Sequence, residues 1–107
     1  MILEVAAFSV RGERDSAFEA AMAKAAPVIA GARGYRGHEL QRCVETEGQY
    51  LRRYLLLVRW ETLEAHTVGF RQSPAFLEWR EIIGPFFEDT PVVEHYACAL
   101  RWPGKNS

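Results

Sequence analysis

From Tyr50 to Trp60 the chain reads Tyr-Leu-Arg-Arg-Tyr-Leu-Leu-Leu-Val-Arg-Trp, and no other stretch restricts the fold so sharply. Its aromatic and aliphatic residues suit a β-strand. Successive side chains of a strand point to opposite faces, so Tyr54, Leu56, Val58 and Trp60 share one face and Leu51, Leu55 and Leu57 the other. Both faces are apolar, and both need a cover. Helices of the same chain can supply only one of them. A second copy of the chain is the simplest cover for the other, with two sheets closing into a barrel across a two-fold axis. That expectation fails if Arg52, Arg53 and Arg59 keep one face wet.

The flanking segments fit a sheet with helices. Ile2 to Val10 carries a single charge, Glu4, and reads as a strand covered on both faces. Ser16 with Glu19 forms a capping-box pattern, and Phe18, Met22, Ala25 and Ile29 recur at helical spacing, predicting a helix over 16–30 with Pro27 near its end. Gly31 and Gly34 are stop signals. Tyr35 to Cys43 and Tyr50 to Trp60 flank the polar turn Glu45-Thr-Glu-Gly48 and predict a β-hairpin. Thr62 can cap a helix over 62–71, and Ser73-Pro74 opens another over 74–83 that Gly84-Pro85 ends. Pro91 precedes a last strand, Val92 to Leu100.

The order β-α-β-β-α-α-β is the ferredoxin-like split βαβ pattern. It predicts an α+β domain with a four-stranded antiparallel sheet and helices on one face. Residues 1–102 make one domain, and 103–107 a frayed tail.

Composition narrows the function classes. A formal net charge of −1 gives no footprint for nucleic acid or an anionic membrane. Residues 31–60 hold six Arg against three Glu, and residues 61–107 seven acids against four bases, which reads as solvated strand edges and helix faces. Cys43 and Cys98 lack metal-ligand spacing and read as two buried, reduced thiols. No stretch resembles a signal peptide or approaches the roughly 20 apolar residues of a membrane helix. A cytoplasmic protein is the expectation.

Gly34-Tyr-Arg-Gly-His-Glu-Leu40 resembles the opening of the second strand in antibiotic biosynthesis monooxygenase domains. Trp60-Glu-Thr-Leu-Glu-Ala-His66, Phe70, Ser73-Pro-Ala-Phe76 and His95-Tyr96 resemble the rest of that family's pattern, from about Ile2 to Leu100. The resemblance implies a dimeric α+β barrel with a cleft between sheet and helices in each subunit. It also implies an oxygenase that uses no metal, flavin or haem. Such an enzyme deprotonates a phenolic substrate, or stabilises its anion, for direct reaction with dioxygen. The positions matching that family's cleft are Trp60, His66 and Arg80. Leu56 stands where such enzymes can carry an Asn, a departure that removes a hydrogen bond to the substrate. The residues that bind and attack haem in haem-degrading relatives are not reproduced.

The chemistry of the three residues fits those roles. His66 can take a phenolic proton near neutrality, Arg80 can stabilise an oxyanion, and Trp60 can form a stacking wall. Leu56, Phe70, Trp79 and Phe86 would line the substrate side. Each residue also has a plainer reading: Trp60 as a core cap, His66 as a satisfied helix histidine, Arg80 as a surface partner of Glu78, Glu81 or Glu88. His38 and His95 sit in strands and could face one another across the sheet. The expected function is a small cofactor-independent monooxygenase acting on an aromatic, quinone-like or enolic molecule. The alternative is a non-catalytic ligand-binding or regulatory protein of the same fold.

Overall fold

In the computed structural model, which describes residues 1–105, the central strand has the alternation that its sequence requires. Tyr54, Leu56, Val58 and Trp60 are buried, while Leu51 and Leu55 are exposed. This strand, β3 (Leu51–Trp60), pairs with β1 (Ile2–Arg11) on one side and β2 (Tyr35–Arg42) on the other. β4 (Val92–Ala97) adds to the free edge of β1, giving an antiparallel sheet in the order β2-β3-β1-β4. α1 (Asp15–Ala30), a π-helical turn (Ala65–Phe70) and α2 (Pro74–Ile83) complete the described elements, with short 3₁₀ turns between. This is the expected α+β ferredoxin-like sheet with helices.

The core lies between the sheet and the helices. Ala6, Phe8 and Val10 of β1 meet Phe18, Met22, Ala25 and Ile29 of α1 and Trp79 and Ile83 of α2. Each large apolar side chain buried there contributes about 1.5–3 kcal/mol. The opposite face is open. The pairings Val5–Leu57, Ala7–Leu55 and Val92–Ala7 lay an apolar band across it, flanked by exposed Arg53 and Arg59. Arg59 is paired with Glu39 at 3.4 Å, so the arginines wet the edge of the band rather than its middle.

Several local expectations change. The last strand stops at Ala97 and does not reach Leu100, because Ala97 pairs with Ile2, the first strand residue of β1, and no partner lies beyond. The helix expected over 62–71 contains the π turn at Ala65–Phe70. The Ser16 capping box is absent: α1 begins at Asp15, the Ser16 N–H donates to Asp15 Oδ1 at 2.6 Å, and Glu19 accepts from the Tyr54 hydroxyl at 2.7 Å. Ser73 holds its position before Pro74, yet its hydroxyl donates to the Phe70 carbonyl at 2.6 Å instead of accepting from the helix. Thr62 does cap, accepting from the Ala65 N–H at 3.1 Å. Neither thiol is buried: Cys43 is half-buried just past β2 and Cys98 exposed just past β4, where sheet pairing has ended. Of the expected tail, residues 106–107 lie outside the described residues. Among the described residues no helix is long and apolar enough to cross a membrane.

Gly34 fixes how β2 meets the π turn. Its φ is +85°, and a Cβ there would sit 2.7 Å from the Ala65 Cβ. Its carbonyl accepts from the Glu61 N–H at 2.8 Å, which ties the start of β2 to the end of β3.

Candidate functional site

Trp60 ends β3 with its side chain turned toward the helices and fully buried. A buried indole N–H needs an acceptor. It finds one in β1, where Glu4, paired with Val58 in register, points to the same side of the sheet. Trp60 Nε1 donates to Glu4 Oε1 at 2.9 Å. Glu4 is 6% exposed, an unusual place for a carboxylate.

The π turn delivers the third member. Its i→i+5 bond runs from the Arg71 N–H to the His66 carbonyl at 2.9 Å. Such turns are rare and concentrate at functional sites. Here the turn lays the His66 imidazole flat on the Trp60 indole, with ring centres 5.3 Å apart and planes 16° from parallel. His66 Nε2 stands 3.4 Å from Glu4 Oε1, and His66 Nδ1 is 2.8 Å from His95 Nε2. His95 lies on edge strand β4, directly opposite Glu4 in the sheet register, and is part-exposed. Three strands and one turn thus assemble the chain Trp60–Glu4–His66–His95.

Burial sets the electrostatics. It pushes the His66 imidazole down to about 4, with help from the positive charge of Arg71 and from His95. His95 is lowered for the same first reason, then by Arg71. Both rings are therefore neutral near pH 7. Burial raises Glu4, while the Trp60 hydrogen bond and Arg71 pull it back. Among the described residues no group of three or more His, Cys, Asp or Glu side chains is placed to hold a metal ion. The arrangement is suited to moving a proton.

The structure brings Trp60 and His66 together. Phe70 lies 5.7 Å from Trp60 and 6.3 Å from Trp79, ring centre to ring centre, so these two aromatics close the same corner. Leu56 is buried in the core four residues before Trp60 on the same face of β3. Phe86 is elsewhere: its 3₁₀ turn carries it back toward α1, where it packs 5.7 Å from Phe18 and under the Arg14 guanidinium at 4.4 Å. Arg80 is exposed on α2 and shares no hydrogen bond or ion pair with Glu4, His66 or His95 among the described residues. Arg71 is the cation whose field reaches all three. His38 does not meet His95, because β2 and β4 are opposite edges of the sheet. It bonds the Tyr35 hydroxyl at 2.5 Å instead.

Glu4, His95 and Arg71 were not among the sequence-derived candidates. Glu4 did have a signal, being the one charge in an otherwise apolar strand. The corner itself is shut, since His66 is 3% and Trp60 0% exposed. Two open concavities, of about 360 and 330 Å³, lie against α1 and β2, lined by residues such as Glu19, Met22, His38, Leu40 and Tyr54.

This sheet, its helical layer and the tryptophan-capped strand define a ferredoxin-like α+β domain of one recognisable group. The family model described as antibiotic biosynthesis monooxygenase matches residues 1–82. The chain belongs to that family. It is 42% identical over 96 residues to the uncharacterised protein YczJ of Bacillus subtilis strain 168, covering 90% of this chain and 97% of that protein. It is 41% identical to a candidate antibiotic biosynthesis monooxygenase of Bordetella bronchiseptica, whose crystal structure superposes with a TM-score of 0.84 over 92% of this chain and 97% of that one. The fold is also that of SnoaB, a cofactor-independent oxygenase from Streptomyces nogalater, with 22% identity, a TM-score of 0.76, and coverage of 96% and 97%.

Proposed function

We propose that the chain is a small oxygenase that removes a proton from an aromatic, quinone-like or enolic molecule and lets the resulting anion react with dioxygen. In the simplest stoichiometry a ring CH₂ becomes C=O, one O₂ is consumed and one water leaves. The Glu4–His66–His95 network beside Trp60, buried at Glu4 and His66, carries this reading. A core needs no such group, because burying polar side chains costs stability unless every one is paired. His66, with the carboxylate behind it, is the base at the heart of the network toward which the proton moves, and Trp60 is the wall against which the imidazole is held. Arg71 is the nearer stabiliser of the anion, with Arg80 as the outer candidate on α2. Family membership and the likeness to SnoaB support the reaction class. The same reading has a second copy of the chain covering the apolar band of the open sheet face.

A second reading has a specific observation behind it. Trp60 and His66 are shut in, and the open concavities lie against α1 and β2. That favours a non-catalytic protein that binds a small molecule there. Oxygen uptake on a panel of anthrones and dihydroxynaphthalenes separates the two. The oxygenase reading expects turnover that falls about 100-fold or more in His66→Ala and less in Arg80→Ala. No uptake with any panel member, alongside ligand binding, establishes the second.

A further inference from the structure

We infer that His95, His66 and Glu4 form a proton relay in which His95 takes the acidic proton of the substrate and the Glu4 carboxylate receives it at the far end. The substrate class rests on the oxygenase reading; the direction of the relay rests on which atoms of the cluster can donate and which can only accept.

The polarity follows from counting protons. An ionised carboxylate only accepts. With Glu4 ionised, its Oε1 takes the Trp60 N–H, and the nitrogen that faces it at 3.4 Å, outside hydrogen-bond geometry, is His66 Nε2; the relay places the hydrogen on that nitrogen. A neutral imidazole has one N–H. His66 Nδ1 is then a lone pair, and the 2.8 Å contact is donated by His95 Nε2–H. The same rule leaves His95 Nδ1 unprotonated. The chain thus ends in a base on an edge strand, at the one member that is part-exposed, while Glu4 and His66 are sealed at 6% and 3% exposure.

The step balances without any redox partner. The acidic bond of the substrate, C–H in an anthrone and O–H in a phenol or enol, breaks toward His95 Nδ1 and leaves its electron pair on the substrate. The His95 Nε2 proton passes to His66 Nδ1, and the His66 Nε2 proton passes to Glu4 Oε1. Three protons each move one place and no electrons change hands. Both imidazoles end as their other neutral tautomer. Negative charge leaves the buried carboxylate and appears on the substrate, which relieves the cost of a charge held in the interior. The 3.4 Å link is longer than a full hydrogen bond, so it is the one that shortens when substrate binds. On product release the proton returns by the same path.

Two measurements test this, and the first needs no variant. Nitrogen-15 NMR of the full chain near pH 7 should find both His66 and His95 as Nε2–H tautomers. A protonated Nδ1 on His66 reverses the polarity and overturns the relay. The second is an anaerobic absorbance titration with an anthrone as probe, followed by oxygen uptake. Wild type should bind the probe as its enolate. Glu4→Gln and His95→Gln should bind it in neutral form and lose about 100-fold or more in kcat with KM little changed. A wild-type protein that leaves the probe neutral, or variants that ionise it as wild type does, overturns the relay. Oxygen uptake that persists unchanged in the variants keeps the oxygenase reading and removes the relay. Enolate formation without oxygen uptake keeps the relay and removes the oxygenase.

Discussion

The two ends of the sheet are each packed with aromatic rings, and they turn their polar atoms in opposite directions. At one end Phe8, Phe18, Tyr54 and Phe87 meet with ring centres 4.6 to 6.3 Å apart. At the other, about 20 Å along β1 by strand rise, Trp60, His66, Phe70 and Trp79 do the same. The first cluster sends its one polar atom, the Tyr54 hydroxyl, outward to Glu19 at 2.7 Å. Burial and that carboxylate push the phenol well above its ordinary range. The second turns its polar atoms inward, onto a sealed carboxylate. A core that needed only stability would be built like the first. On the proposed oxygenase reading, the inward-facing arrangement marks the end that does the chemistry.

The sharpest break of this comparison is Phe18→Ala. It should cost about 3–5 kcal/mol in a urea melt, by lost transfer and cavity, and leave the tautomers of His66 and His95 unchanged. A change in either tautomer would show that the two ends are coupled.

Acid should act on the other end. His66 is held at about 4 in the folded chain against an ordinary 6.5, so the unfolded chain takes up a proton that the folded chain refuses between those values. The stability from neutral His66 is complete above pH 6.5 and falls as pH drops toward 4, by up to about 3 kcal/mol. Glu4, raised by burial, shifts the balance the opposite way and offsets part of the loss. In His66→Phe the slope of stability between pH 7 and 5 should flatten, as read from denaturant midpoints. A slope equal to wild type would remove His66 as its source.

Gly34→Ala should follow at about 2 kcal/mol, because it combines a left-handed backbone position with a 2.7 Å approach to Ala65. It should also slow any turnover by displacing the π turn, whereas Phe18→Ala should not. Arg36→Ala, which breaks an exposed pair with Glu61 at the same end of the sheet, should change stability by less than about 0.5 kcal/mol. A larger loss would mean that this rim supports the buried network.

The strands and helices could be read in advance because their signals are local. Alternation along β3, the helical spacing of Phe18, Met22, Ala25 and Ile29, and the glycines at turns all act within a few residues. Trp60 and His66 are near neighbours in sequence, so their meeting was also within reach. Glu4 meets His95 only through strand register across 91 positions, which no short window contains. Arg71 could not be preferred to Arg80, since an α-helix was expected where the chain makes a π turn and the phase of that segment is shifted. Phe86 and Cys98 were misplaced for a related reason: the 3₁₀ turn at Gly84–Phe86 and the early end of β4 are set by what they pack or pair against.

The wide turn at Ala65–Phe70 holds one more residue than a regular coil of the same rise would. Deleting a single residue there, such as Gly69, would let the backbone tighten and swing the preceding side chains by about 100°. Every residue type of the candidate site would still be present, and the imidazole would point away from its carboxylate. On the proposed reading, the competence of the corner is stored in the count of peptide units, so a chain that keeps all its diagnostic letters can still have lost what they were for.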